Sequence, residues 1–437
     1  MKWRIARFFA TWAALVLTST AAPASAASSG EVLVSWYRMA LNLTRHTATM
    51  SPPVASRAYG YLGVAAFEVV ASEDTGRLAS LAGQLNGFGA GPARDASLTY
   101  STSIALNAAM GTIVGDIFSH TGPTGHRAMD ALLLRLGTAT SEGIDQAVAE
   151  RSEAYGRALA DHILAWASTD GGAVIENMGF PFNYANPEGP GLWVPTSTIV
   201  QQQAPLLPSW GDNRPFAMPS VGECPTDEPP AYSEDPASDY FRQAKEVYDT
   251  WTNLQPEQRA IARFWSDDAM LSVTPPGHWL SIALDLIEIE GYDLERSVDV
   301  LARLGIGMAD AFIGCWHSKF TYNAVRPITF IRRAIDEKFE TVLNTPPFSE
   351  FPSGHSTQSS VAAAVLTAVM GDDLGFLDDT GQADGLTPRW FPSFQAAADE
   401  AGISRLYGGI HFRAAIELGA AQGRCIAAYA IALTTWR

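Results

Sequence analysis

Three short clusters, KFTYNAVRP at 319–327, FPSGHST at 351–357 and SRLYGGIH at 404–411, decide how this sequence is read. They bring together Lys319, Arg326 and Arg405, the Ser353 hydroxyl, the Gly354 amide and the imidazoles of His355 and His411. Guanidinium forks match the oxygen spacing of a phosphate-like group, a lysine adds a point charge, and a glycine lets the backbone come close to the anion. The set is a binding shell for a tetrahedral oxyanion. Histidine titrates near working pH, so the two imidazoles take the work that lysine and arginine cannot do: one attacks or coordinates the central atom and the other moves a proton.

Six residues separate Lys319 from Arg326, and five separate Arg405 from His411. In that order and spacing the clusters resemble the signature of the type 2 phosphatidic acid phosphatase and vanadium haloperoxidase superfamily, and three linked clusters are far more specific than one. The resemblance implies that Lys319, Arg326, Ser353, Gly354 and Arg405 bind vanadate or phosphate and that His355 is the acid/base. It makes His411 the vanadium ligand of a haloperoxidase or the nucleophile of a phosphatase. It also points to Trp316 and Phe348 as an apolar wall for a halide beside the oxyanion, and to Asp267 or Asp268 as an acid orienting an arginine from outside the shell. His278, in the following TPPGHW, is expected near the pocket entrance or as a helix cap. Phosphatases of the superfamily usually carry an acid four positions after the last histidine, where this chain has Ala415. Glu417, six positions on, does not share that helical face, so His411 is expected to lack a carboxylate partner, which counts against phosphohistidine chemistry.

At the other end, MKWRIARFFATWAALVLTSTAAPASA places Lys2, Arg4 and Arg7 before an apolar run closed by Ala24-Ser25-Ala26. This pattern is a secretory signal peptide over 1–26, cut before Ala27, and it implies export to the periplasm or medium. Losing three positive charges and no acids moves the formal net charge from -17 to -20. So acidic a chain is not built to hold nucleic acid, and its local basic cluster favours a small anion instead. Cys224, Cys315 and Cys425 allow one bridge, and the sequence does not say which pair makes it. No later stretch is apolar enough for long enough to span a bilayer.

Apolar residues at helical spacing predict two helices between Val32 and Ser72, the second capped by Ser51 and opened by Pro52-Pro53. PPVASRAYGYLGVAAFEVV also resembles the amino-terminal segment of bacterial haloperoxidase-like proteins. Further helices are expected over 97–119, 124–137, 140–168, 239–265 and 294–320, with one starting at Ser353 to His355 and others closing the chain. His46, His120, His126 and His162 show no metal-ligand spacing. Between 171 and 237 Gly, Pro and Trp dominate, which reads as a long irregular segment wrapping the surface and lining the pocket entrance.

The sequence therefore predicts an all-α protein of two packed helical halves, 27–235 and 236–437, with the site in the carboxy-terminal bundle. The function implied by the resemblance is oxidation of halide by hydrogen peroxide at a His411-bound vanadate. The alternatives are an exported acid phosphatase acting on phosphomonoesters and, from another class, a non-catalytic anion-binding protein.

Overall fold

The computed structural model describes residues 27–437 apart from 74, 75 and 373; the expected signal peptide lies outside the described residues. Among them are thirteen α-helices and a single two-stranded hairpin, the all-α architecture expected. The amino-terminal half holds α1 (Ser29–His46), α2 (Pro52–Ala71), α3 (Thr102–Ile117), α4 (Pro123–Ser141) and α5 (Gln146–Ala167). The carboxy-terminal half holds α6 (Asp239–Thr252), α7 (Pro256–Phe264), α8 (Thr274–Glu290), α9 (Leu294–Tyr322), α10 (Pro327–Ala334), α11 (Gly354–Met370), α12 (Phe394–Tyr407) and α13 (Arg413–Ile431). No helix among the described residues is long and apolar enough to cross a membrane.

Local chemistry starts these helices where the sequence says it should. Ser28 and Glu31 form a reciprocal capping box at α1, Asp293 caps α9, and Ser353 caps α11 by accepting from the Ser356 amide. The long α9 stops at Asn323, a residue type that tolerates the left-handed conformation it adopts. The larger apolar core joins the amino-terminal helices to α8, α9, α11 and α13, its seam being the packing of α2 on α9, and a second cluster packs α6 and α10 against the ends of α12 and α13. Glycines make that seam possible: a Cβ on Gly63 would lie 2.9 Å from the Ala302 Cα. A second close approach fixes the site, because any Cβ on Gly423 of α13 would collide with the Thr357 carbonyl of α11.

The segment 171–237 contains only short 3-10 turns and wraps the carboxy-terminal half, as its composition predicts. It is tied down at several points. The buried Asp310 carboxylate accepts from the amides of Phe216, Ala217 and Met218, and burial raises its pKa to about 6 despite those donors. Cys224 is bonded to Cys425 on α13, which resolves the open pairing and leaves Cys315 as a buried thiol. The acidic excursion near 372–398 holds strands that no period-two pattern announces: β1 (Phe376–Asp378) pairs antiparallel with β2 (Arg389–Phe391), Asp378 opposite Arg389.

Candidate active site

The three clusters meet because three helix ends meet. Arg326 is the residue before α10, His355 lies in the first turn of α11, Arg405 in the last turn of α12, and His411 in the short link from α12 to α13. The Ser353 amide donates to the Ala415 carbonyl at 2.9 Å, which joins the start of α11 to α13. A cavity of about 740 Å³ opens onto this junction, lined at its floor by Gly354, His355, Arg405 and His411 and along one side by Trp316 and Phe348. Those two rings lie 4.9 Å apart between centroids.

His411 has a carboxylate partner, although neither Ala415 nor Glu417 supplies it. Its Nδ1 lies 2.9 Å from Glu350 Oε1, which also accepts from the Phe412 amide at 2.8 Å. This corrects the expectation drawn from Ala415: the orienting acid comes from the loop before α11, while Glu417 pairs with Arg413 instead. The signal was in the sequence, as a carboxylate three residues before Ser353 in SEFPSGH, but it emerges only once the loop folds under His411. With Nδ1 donating to Glu350, the lone pair of Nε2 is left on the far side of the ring, 3.2 Å from Arg326 Nη1. Burial, followed by the charges of Arg326 and Lys319, holds the His411 pKa well below the ordinary histidine range. Burial raises Glu350 to about 7, although the Phe412 amide and the nearby cations pull it down.

The cations differ in what they have free. Lys319 spends all three donors on carbonyls, at 3.0 Å to Ser349 and 3.1 Å to Glu350 with the third on Pro352. It therefore contributes charge and anchors the Glu350 loop. Arg326 donates from Nε to Phe348 and from Nη1 to Ile410, and its buried Nη2 has no partner. Arg405 bonds the Trp265 carbonyl and the Ser404 hydroxyl. Burial lowers Lys319 to about 8 and both arginines to about 10. The Ser353 oxygen accepts from Ser356, which leaves its own proton free to donate.

His355 Nε2 is buried with no hydrogen-bond partner, and Asp267 Oδ2 lies 4.0 Å away. Burial, then Arg405 and His278, hold the His355 pKa well below its usual value. The acid expected to orient an arginine has a different first partner. Asp267 grips His278 Nδ1 at 3.0 and 3.1 Å, and Asp378 from β1 grips Nε2 at 2.8 Å. His278 is thus neither at the entrance nor a cap. It is buried between two carboxylates and stacked on Trp265 with centroids 4.6 Å apart. Burial alone would depress its pKa, but the two carboxylates outweigh that and push it up to about 10. Asp267 and Asp268 act on Arg405 through charge, and burial raises Asp268 itself. Among the described residues no cluster of three or more His, Cys, Asp or Glu side chains forms a metal site, and the scattered amino-terminal histidines stay scattered.

The family description "VCPO second helical-bundle domain" matches residues 299–436. The fold superposes on that of a protein described as the first bacterial vanadium-dependent iodoperoxidase with a TM-score of 0.84 and 36% identity, covering 93% of this chain and 97% of that one. A holo-type bacterial vanadium-dependent chloroperoxidase matches at TM-score 0.66 and 16% identity over 94% of this chain and 93% of its own. An apo-type bacterial chloroperoxidase matches at TM-score 0.65 and 16% identity, over 87% and 93%. These last two share the fold. No curated protein sequence matches the chain.

Proposed function

This chain belongs to the vanadium-dependent haloperoxidases, and from that premise we propose that His411 Nε2 holds vanadate and that the enzyme's preferred halide is iodide. The observation that carries the assignment is the His411 ring itself, oriented through Nδ1 by Glu350 with its Nε2 lone pair turned toward the arginines. The residues around it fit a tetrahedral oxyanion: the unpartnered Arg326 Nη2, the free Ser353 proton and the Gly354 amide at the start of α11 are donors, and three cations offset the anion's charge. Bound vanadate supplies a Lewis acid that activates hydrogen peroxide toward halide. The protein's part is to bind, orient and move protons. Neutral His355, whose Nε2 has no partner of its own, is the group that accepts and returns the proton.

Two observations support iodide. The relative at 36% identity is an iodoperoxidase, and Trp316 and Phe348 make an apolar wall where a large, weakly hydrated anion loses least on leaving water. We also place the mature protein outside the cytoplasm. The leader over 1–26 and the Cys224–Cys425 bridge both suit an oxidising compartment.

The test assays protein freed of phosphate, with and without vanadate, for peroxide-dependent oxidation of iodide, bromide and chloride. Vanadate-dependent turnover fastest on iodide and abolished in His411→Ala is the expected result. Turnover that survives in His411→Ala removes the ligand assignment, and a preference for chloride removes the halide assignment.

A further inference from the structure

Behind the acid/base stands a cation that oxyanion binding does not call for. His278 lies on α8 with its Nδ1 3.0 and 3.1 Å from the two Asp267 oxygens and its Nε2 2.8 Å from Asp378. A carboxylate only accepts, so both ring nitrogens carry protons, and the ring is a fixed cation rather than a proton relay. On its other side Asp267 Oδ2 lies 4.0 Å from His355 Nε2, too far for a hydrogen bond and near enough for its charge to act. Asp267 sits at φ of 48°, a left-handed conformation that persists where neighbours impose it, and its carboxylate is anchored through His278.

The supports of this arrangement lead back to the hairpin. β1 supplies Asp378, which also accepts from the Thr380 amide at 3.1 Å. β2 supplies Arg389, whose guanidinium bonds both oxygens of Glu400 on α12, at 2.7 and 2.8 Å. Glu400 in turn accepts from the Trp265 indole at 3.0 Å. The Trp265 ring stacks on His278, while its carbonyl accepts from Arg405 and raises the proton affinity of His355. A ribbon whose Leu377 and Trp390 side chains are exposed therefore grips, from outside, the groups that stand behind His355 and Arg405.

We propose that His278 and Asp378 are positioning residues for proton transfer: the pair holds the Asp267 carboxylate facing His355, balances its charge, and so fixes how readily His355 takes and returns a proton. This deepens the haloperoxidase reading and rests on it. The charged groups facing His355 are Arg405 from α12, Lys319 from α9, His278 from α8 and Asp267 from the loop before α8, with His411 across the site and Asp268 acting on Arg405. His278 and Asp378 do not line the cavity, so they can be altered without touching the oxyanion shell. Their charges are opposite. Removing the His278 charge raises the proton affinity of His355, and removing the Asp378 charge lowers it.

The test compares His278→Gln and Asp378→Asn with wild type, near-UV circular dichroism confirming that each is folded. Peroxide-dependent iodide oxidation is followed across pH, and vanadate affinity is measured by titration calorimetry. A unit charge gained or lost within about 10 Å changes a buried group's proton affinity by on the order of tenfold, or one pH unit. The acid limb of turnover, where His355 becomes protonated, should therefore move up by that much in His278→Gln and down in Asp378→Asn. Vanadate should bind more weakly to the first variant and more tightly to the second. Damage to packing alone would lower activity and affinity in both. Shifts in the same direction, or none in folded protein, overturn the proposal. If His278→Gln does not fold, Asp378→Asn decides alone: an acid limb moved down supports the proposal, and one unmoved or moved up overturns it. Absence of vanadate-dependent turnover in the wild type would instead overturn the haloperoxidase reading, and the opposed changes in vanadate affinity would still report on the clamp.

Discussion

His278→Gln is the most informative single change, because it removes a buried charge and leaves its two partners in place. The imidazolium is clamped between Asp267 and Asp378, with its pKa moved from 6.5 in the open chain to about 10 in the fold. A group whose folded pKa is raised stabilises fully below its unfolded value, and that stability is lost as pH rises through the folded value. The window therefore runs from pH 6.5 to about 10. Each tenfold gain in proton affinity is worth ~1.4 kcal/mol, so the ceiling is on the order of 5 kcal/mol in acid, falling to roughly 3 kcal/mol near pH 8. Glutamine keeps the size but carries no charge, so Asp267 and Asp378 are left without the cation that lies between them. The assay is denaturant unfolding of both proteins at about pH 6, 8 and 9.5, where the wild-type advantage should shrink by up to ~1.4 kcal/mol for each tenfold fall in proton concentration. An advantage that stays constant or grows with pH would refute the clamp as the source of the stability.

Glu350→Gln, which keeps the shape and discards the charge, should weaken vanadate binding about 10- to 100-fold, the usual cost of losing a partner behind a metal-bound histidine; titration calorimetry reads it, and unchanged affinity would show that Glu350 only packs. Arg405→Ala should cost roughly 1.5–3 kcal/mol of vanadate affinity in the same measurement, and wild-type affinity would mean that the guanidinium does not reach the anion. Reduction of Cys224–Cys425, which spans 201 residues, should lower stability by about 2–5 kcal/mol while Cys315 stays closed to alkylation in the folded protein; rapid labelling of Cys315 would contradict its burial.

What the sequence discloses follows from how local each signal is. Oxyanion recognition needs particular residue types within windows of a few positions, so Lys319, Arg326, Ser353, Gly354, His355, Arg405 and His411 could all be named before any fold was known. Helices announce themselves by apolar spacing and caps, and α2, α9 and α11 begin within a few residues of where those cues put them. The contacts that tune the site are of another kind. Glu350 meets His411 across 61 positions and Asp378 meets His278 across 100, so neither pair leaves a periodic or spaced trace. Asp378 sits in an acidic, Gly-rich excursion, yet its side chain is buried. Lys319 is the intermediate case, where the residue and its importance are legible but its commitment to three carbonyls is a fact of the folded loop alone.

The glycine seam between α2 and α9 limits how this protein can change. The segment recognised by the family description begins at residue 299, inside α9, so one face of that segment is shaped to receive a helix from the opposite half. Cut out as a unit, it would carry Gly305 and Ala302 into water, where Tyr59 and Gly63 had lain against them. The catalytic bundle is therefore not a cassette that recombination or engineering can lift onto a new partner. A change on either side of that seam therefore calls for a matching change on the other.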